Sequence, residues 1–561
     1  MLNTHAWNQA LSSWGAKAHL EHQSSRSTLV WLMRVLTCDE LRQIVDDARG
    51  RADTLASVLI QRAGYAVTQF CLAHFKFRSV CVVCGAGGDG DYGLMAAQVL
   101  SGIAEQVSVI VLAKDASGLS PAMAAICESL AAEPMWVSDE AGFQDEVIQQ
   151  ALEAELIIDA VAESGFKPPL QGAARKAVEA INQASGIVVS LGVPSGVEPD
   201  SSVPAHEGGS EAVFAHGVIA FVAPNPAHVF GRLTAGPIAV NELGVQPSLV
   251  SHETGLSVVT AQEVRITFPP RPDEAHKGDF GHVLVIGVAL DQVGGSALAG
   301  IAALRTGAGL VTVASPRSSQ PIIAGFAPEL MTEGLDENAA GRISLAARDK
   351  IAELLAKADA VVLGRDNPRN DETAEFTQWL IGNCPAPLVL HDVGLPDIST
   401  HRAEKSDDHR LRVIILDSEE AAAFLGIHLN DLQADTVWAA RRVAEQTNSC
   451  IVLQGLRTII AGRSGETWIS MTGNSALAKN GADDALCGMV AAALARHSER
   501  PDLLRELDVA SAVYLYGLAG DLARDIFHEN TLLATDLLET LSDAFRDCEL
   551  HSDRGLFYLR K

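Results

Sequence analysis

The residues best suited to chemistry fall in one stretch, Asn480-Gly-Ala-Asp-Asp-Ala-Leu-Cys-Gly488. The approach to it, Met471-Thr-Gly-Asn-Ser-Ala-Leu-Ala-Lys479, is short of bulky apolar residues and reads as a loop. From Ala485 on, Leu486, Met489, Val490, Ala493 and Leu494 recur at the spacing of an amphipathic helix. Gly481 to Asp484 therefore fall where a loop becomes a helix N-terminus. Free backbone N–H groups and the positive dipole end make such a place suit a phosphate or an oxyanion. Asp484 has two open readings there, a helix cap or a catalytic base. A second stretch, Gly85-Ala-Gly-Gly-Asp-Gly-Asp-Tyr-Gly93, follows an apolar run over 79–85 and precedes a helical pattern over 94–100. Strand, glycine-rich turn and helix in that order can cradle phosphate, although glycines also serve tight packing. Cys81-Val-Val-Cys84 is the one C-x-x-C. Strand alternation sends its two thiols to opposite faces, which predicts buried structural cysteines and not a redox pair.

The elements that must position these residues alternate. Strands are predicted at 79–85, 107–112, 156–160, 186–191 and 218–221, separated by helical stretches, which is the pattern of a parallel, doubly wound sheet. Thr37 with Glu40 forms a capping box ahead of a helical run. Proline and threonine are interspersed over 224–274, with Phe268-Pro-Pro-Arg-Pro-Asp273 as the clearest boundary. A second alternation follows, with strands predicted at 283–287, 311–314, 360–363, 388–390, 413–415, 451–453 and 458–461. Residues 490–545 read as largely helical. The expected organisation is α/β, with two three-layer αβα domains: a flexible leader over 1–33, a first domain over 34–250 and a second over 260–561.

Composition narrows the function. Lys and Arg number 42 against 70 Asp and Glu, a formal net charge of −28. That balance argues against nucleic acid and anionic membranes as partners, while leaving room for a nucleotide at a local positive site. No apolar run is long enough to span a bilayer, and residues 1–33 lack a signal-peptide core. The nine cysteines lack metal-binding spacing and suit a reduced cytoplasm, and no metal site is expected. Other candidates have mundane readings beside the chemical ones. His391 and Asp392 at a strand end either line a pocket or pack, His276 and Lys277 either approach a nucleotide or belong to a solvated linker, and Glu419-Glu420 reads as a dipole-stabilised first turn.

Longer motifs carry a resemblance over nearly the whole chain. His276-Lys-Gly-Asp-Phe-Gly-His-Val-Leu-Val-Ile-Gly287, Ala303-Leu-Arg-Thr-Gly-Ala-Gly-Leu-Val-Thr-Val313, Pro328-Glu-Leu-Met331, Leu518-Ala-Gly-Asp-Leu-Ala523 and Ala534-Thr-Asp-Leu537 resemble the dehydratase half of the bifunctional NAD(P)H-hydrate repair enzymes. Val193-Pro-Ser-Gly196 and Ala223-Pro-Asn-Pro226 are similar to the epimerase half. The resemblance implies a Rossmann-like first domain that interconverts the epimers of hydrated NAD(P)H. It implies a ribokinase-like second domain that removes water from the S-hydrate, NADHX or NADPHX, at the expense of ADP or ATP with Mg²⁺ and K⁺. Carried over by position, it implies Asp484 as the catalytic residue and Gly455, Asn480, Gly481, Asp483 and Lys277 around the nucleotide. In the first domain it implies a glycine loop with Gly85, Gly87, Gly90 and Gly93, together with Asp159 and Ser195.

The motif cores depart from that pattern in both halves. Where the resemblance implies an Asn pair and an Asp in the glycine loop, this chain has Gly88, Asp89 and Tyr92; where it implies a catalytic Asp before Val193, it has Gly192. Glu163 replaces a glycine. In the second half, Gly364-Arg-Asp-Asn-Pro368 replaces a Gly-Pro-Gly turn, Gln454 replaces the Lys that meets phosphate, Leu456 and Arg457 replace small residues, and Asp483 replaces the glycine before Asp484. Arg365 and Arg457 are candidates to restore positive charge. Scaffold segments persist while chemical positions change, so the expected function is a catalytically impaired homologue acting as a binding or assembly partner, as a homo-oligomer or with a paralogue. The alternative is an active ADP/ATP-dependent dehydratase using Asp484.

Overall fold

Strands such as Val80–Cys84, Leu156–Ala160 and Ala360–Leu363 are apolar at nearly every position, so they must be buried on both faces and covered by helices on each side. The structure, a computed structural model, obeys this; it describes residues 33–50, 56–162, 165, 167–202, 211–245, 255–364, 371–391, 410–497, 500–550 and 557–560. The predicted leader, Glu163, Arg365 and Asp392 lie outside the described residues, except Met33 at the end of the leader. The first sheet runs β4 (Met135–Trp136), β3 (Gln106–Val111), β2 (Ser79–Cys84), β5 (Leu156–Ala160), β6 (Ile187–Leu191), β7 (Gly217–Phe221), β8 (Ile238–Asn241) and β19 (Phe557–Arg560). All its pairings are parallel but the last. Val82 and Ile158 face Leu94 and Leu100 on one side; Cys81 and Ile157 face Val178 and Ile181 on the other. Cys81 and Cys84 thus enter opposite cores, as alternation predicts, and burial pushes the Cys81 thiol up to about 12.

The second sheet runs β1 (Met33–Arg34), β9 (Leu256–Val258), β18 (Thr467–Ser470), β17 (Thr458–Ala461), β16 (Cys450–Leu453), β15 (Arg412–Leu416), β14 (Leu388–His391), β13 (Ala360–Leu363), β10 (His282–Ile286), β11 (Leu310–Pro316) and β12 (Met331–Leu335). From β16 to β12 the pairings are parallel. Val283, Val285 and Val362 pack with Leu486 and Met489 on one face, and Leu284, Ile286 and Leu363 with Leu380 and Val443 on the other. Both domains are therefore three-layered α/β units with a largely parallel sheet covered on both faces.

The two ends of the chain exchange sheets. β1 pairs with β9, Met33 opposite Val258, and two residues later Leu36 N–H donates to Pro224 O in the first domain. β19 closes the edge of β8 instead. One apolar cluster runs through the junction, joining Met33, Val218, Val240 and Val229 to Val258, Ile469 and Leu453. Arg34, 4% exposed, meets Glu466 beside it on the second sheet, Nη1 to Oε2 at 2.6 Å.

Three local expectations change. The helix after the glycine loop begins at Gly88, not at 94, because Gly90 and Asp91 N–H groups already bond to Gly87 O; the loop is the helix's first turn. The stretch 224–274 is not a bare linker: Pro226 starts the short helix Pro226–Phe230 and Thr260 caps Ala261–Thr267, places where proline and threonine favour a helix. β1, β4, β8, β9, β12, β18 and β19 are not among the predicted strands; β1, β4 and β9 have two or three residues, and β12, Met-Thr-Glu-Gly-Leu, holds no apolar run. The capping box at Thr37 holds, with Thr37 N–H donating to Glu40 Oε2 at 2.8 Å, and Asp417 with Glu420 forms another.

Replacing Arg34 with Ala should lower unfolding free energy by about 2 kcal/mol, read by urea denaturation, since Glu466 loses its partner at the junction. Glu263 is buried, its Oε2 accepting from Thr260 N and Oγ1, and desolvation pushes its carboxyl up to about 7. Between the ordinary carboxyl range and 7 the unfolded chain sheds this proton and the folded chain keeps it, so stability falls as pH rises through that window. The Glu263→Gln variant should lack that decline when the two proteins are compared by pH-dependent denaturation.

Candidate active site

In an open parallel sheet, crossovers that leave neighbouring strands for opposite faces open a crevice at their carboxyl ends. In the second domain that point lies between β10 and β13. Gly287 follows β10 and Gly364 follows β13; a Cβ on Gly287 would sit 2.3 Å from Ser296 Oγ, so only glycine leaves the crevice its room. The helix Ala482–Ala495 is drawn against Val293–Thr306 by Gly488, where a Cβ would stand 2.0 Å from Ala299 O. That contact brings Asp484 to the start of the neighbouring helix, where a Cβ on Gly295 would lie 2.8 Å from Asp484 Oδ2. Asp484 does not cap its own helix. Gly481 is the N-cap, at φ 90°, a conformation glycine adopts freely.

Asp483, one residue earlier, faces the strand ends. Gln454, directly after β16, donates from Nε2 to Asp483 Oδ1 at 2.8 Å. His391, the last residue of β14, brings Nε2 to 3.8 Å from Asp483 Oδ2. The Tyr516 phenol is pushed up first by burial and then by Asp483. Gln454 and Asp483 are thus one physical unit, the amide of one bound to the carboxylate of the other. The sequence signal was their joint occurrence, since neither alone predicts a contact.

The other expected nucleotide residues divide. Asn480 and Gly455 are exposed beside this crevice, next to Gly481 and Gln454. Lys277 is not with them. It precedes β10, and nearby Gly281 packs on Ala495, eleven residues along the helix from Asp484, so about 17 Å separates the two ends. Arg457 donates from Nε to Val229 O of the first domain, which ties it to the junction, and Leu456 is 59% exposed.

The first domain has its own switch point, between β2 and β5, and the glycine loop lies on it. Gly85, Gly90 and Gly93 are packing glycines, their would-be Cβ atoms meeting Val161 O at 2.1 Å, Gly85 O at 2.2 Å and Ala160 Cβ at 2.8 Å. Gly87 is the helix N-cap. Asp159 is wholly buried and serves as a lock: it accepts from Ser195 N at 2.9 Å, Ser195 Oγ at 2.6 Å and Ser190 Oγ at 2.8 Å. Desolvation raises its pKa, and these hydrogen bonds oppose the rise. Asp89, 5% exposed, lies beside Gly192, where a Cβ would be 3.2 Å from its Oδ2; nothing in the sequence signals that approach. His228 accepts from Asn225 N at Nδ1 and donates from Nε2 to Gly192 O, and burial pulls its pKa down to about 4, so it is a neutral strut. Among the described residues, no group of three or more His, Cys, Asp and Glu converges as a metal site.

Comparison with known proteins decides the family. A family profile described as NAD(P)H-hydrate dehydratase matches residues 283–543, and one described as YjeF-related protein N-terminus matches 56–227. The bifunctional NAD(P)H-hydrate repair enzyme Nnr of Moorella thermoacetica is 31% identical over 518 residues, covering 89% of this chain and 96% of its own. The chain belongs to the bifunctional NAD(P)H-hydrate repair enzyme family. The Escherichia coli repair enzyme is 27% identical over 88% of this chain and 91% of its own. Among solved structures, the ADP/ATP-dependent NAD(P)H-hydrate dehydratase of Bacillus subtilis, co-crystallised with ATP/Mg²⁺, covers 52% of this chain and 98% of its own at 27% identity, with a TM-score of 0.43. Within the repair-enzyme frame, the dehydratase half holds the Asp483–Asp484 crevice and the epimerase half holds the Asp159 lock.

The lock predicts its own failure. Asp159→Asn puts an amide donor among hydrogens already pointing inward, and should cost about 3 kcal/mol in chemical denaturation. Ser190→Ala, which removes one donor only, should cost about 1 kcal/mol.

Proposed function

We propose that this chain is a catalytically impaired member of the NAD(P)H-hydrate repair family and acts as a binding or assembly partner, as a homo-oligomer or with an active paralogue. The observation that carries this reading is the Gln454–Asp483 hydrogen bond of 2.8 Å. A diphosphate at this helix N-terminus needs a cation beside it; here the neutral amide is committed to a carboxylate, and that carboxylate repels an incoming phosphate. The residues present therefore do not fit the phosphates of ADP or ATP. In the first domain, Gly192 supplies no side chain to move a proton, and Asp159 is occupied by Ser190 and Ser195. We place the protein in the cytoplasm, a reading supported by nine free, buried cysteines; among the described residues no helix is long and apolar enough to cross a membrane.

The second reading is a working ADP/ATP-dependent dehydratase acting on NADHX or NADPHX through Asp484, with Mg²⁺ and K⁺. It is favoured by the carboxylate's position against Gly295 at the start of Val293–Thr306, and by the match of residues 283–543 to the dehydratase profile. Titration with ADP and ATP, with Mg²⁺ and K⁺ present, separates the two, because a bound ligand stabilises the folded chain in proportion to ln(1 + [L]/Kd) and so raises the unfolding midpoint. The impaired reading expects no shift at about 5 mM nucleotide, and a gain of roughly tenfold or more in affinity when Gln454→Lys is combined with Asp483→Gly. A clear shift in the unaltered protein, abolished by Asp484→Asn, would overturn it in favour of dehydration.

A further inference from the structure

Asp484 meets Gly295 and Gly488 meets Ala299, so the helices Val293–Thr306 and Ala482–Ala495 run the same way. Both end on the side away from Asp484, with Gly307 and Arg496 as their C-caps. Arg271, exposed in the proline-rich segment, donates from Nη2 to Gly307 O at 2.8 Å. Arg496, half-buried, donates from Nη2 to Pro269 O at 3.2 Å. Both guanidiniums lie on the buried ring of Phe280, with Cζ 3.8 Å and 4.8 Å from its centroid. They converge over Gly307, where a Cβ would be 3.2 Å from Arg271 Nη2 and 3.7 Å from Arg496 Nη1. Lys277 comes to the same end, since a Cβ on Gly309 would be 1.6 Å from its carbonyl oxygen. Arg500 is paired with Asp508, Nη1 to Oδ1 at 2.8 Å. Among the described residues neither Arg271 nor Arg496 forms an ion pair, although the chain carries 70 acidic residues.

A cation at a helix C-terminus steadies the dipole, and that accounts for one N–H of each guanidinium. It does not account for two like charges held on one ring with no carboxylate between them. Such an arrangement costs free energy until an anion joins it. The cost is visible at Arg496, whose pKa is drawn down by burial first and then by Arg271 and Arg500. We propose that Arg271 and Arg496, stacked on Phe280 over Gly307, form a site for a phosphate dianion, inorganic or as a monoester, taken from solution. An oxyanion with oxygens about 2.9 Å from both forks accepts from the two arginines at once. Gly307, at φ 112°, has no side chain to fill the space between them. Arg496 lies twelve residues along the helix from Asp484, about 18 Å, so the site stands whether or not the crevice takes nucleotide.

Calorimetric titration of the full chain with sodium phosphate, at ionic strength held constant with chloride, tests this. Phosphate should bind saturably, at least roughly tenfold more tightly than acetate, which carries half the charge. Phenyl phosphate tells the two sources apart. Affinity within about threefold of inorganic phosphate assigns the site to monoesters, and exclusion assigns it to the free ion. Arg271→Gln and Arg496→Gln should each weaken phosphate by about tenfold. Arg78→Gln, which removes an exposed cation of the first domain, should leave the affinity unchanged. If loss of a helix cap unfolds a Gln variant, Arg271→Lys keeps the charge without the planar fork, and should weaken phosphate about threefold. Absence of saturable binding, affinity unchanged by the substitutions at Arg271 and Arg496, or equal weakening by Arg78→Gln overturns the site.

Discussion

The structure depends on one continuous apolar surface between its two sheets. Val218, Val240 and Val229 of the first domain share a cluster with Val258, Ile469 and Leu453 of the second, so neither sheet has a solvated face at the junction. Burial of this kind is proportional to the area withdrawn from water and indifferent to chemistry. It constrains the scaffold while leaving the strand ends free to change. That separation fits a chain whose likeness to its family runs over 89% of its length at 31% identity, since burial constrains the scaffold more than the strand ends.

At those strand ends the physics is local and electrostatic. The close approach at Gly488 brings two helix N-termini together, and their dipoles favour negative charge whatever supplies it. Asp483 and Asp484 supply it from within the chain. Gln454 then donates to Asp483, so one of the two carboxylates has a partner within the chain. The first domain follows the same logic in a drier setting, where the oxygens of Asp159 already accept from Ser190 and Ser195.

Much of this was legible in the sequence. Unbroken apolar runs marked the central parallel strands of both sheets to within a residue or two, and alternation alone placed Cys81 and Cys84 in different cores. Strands such as β4, with two residues, and β12, Met-Thr-Glu-Gly-Leu, carry no apolar run to register. The site was legible in part. Gly481 to Asp484 were placed at a helix N-terminus from spacing, but the cap proved to be Gly481, because a left-handed glycine ends the loop before a carboxylate is needed. Lys277 was grouped with the nucleotide residues by motif, yet a residue before β10 and one at the start of the helix Ala482–Ala495 lie at opposite ends of that helix. Contacts such as Gln454 with Asp483 or Asp89 with Gly192 join residues far apart in the chain, and no local pattern encodes them.

The exchange of ends has a consequence for how the chain is made. Translation delivers β1 long before β9, the strand beside which it lies, and it delivers β19 after the strands of the second sheet. On the ribosome, then, the first sheet waits with β8 as an open edge while the second domain is synthesised. Vectorial, domain-by-domain folding cannot finish this molecule; its two halves reach their final form together.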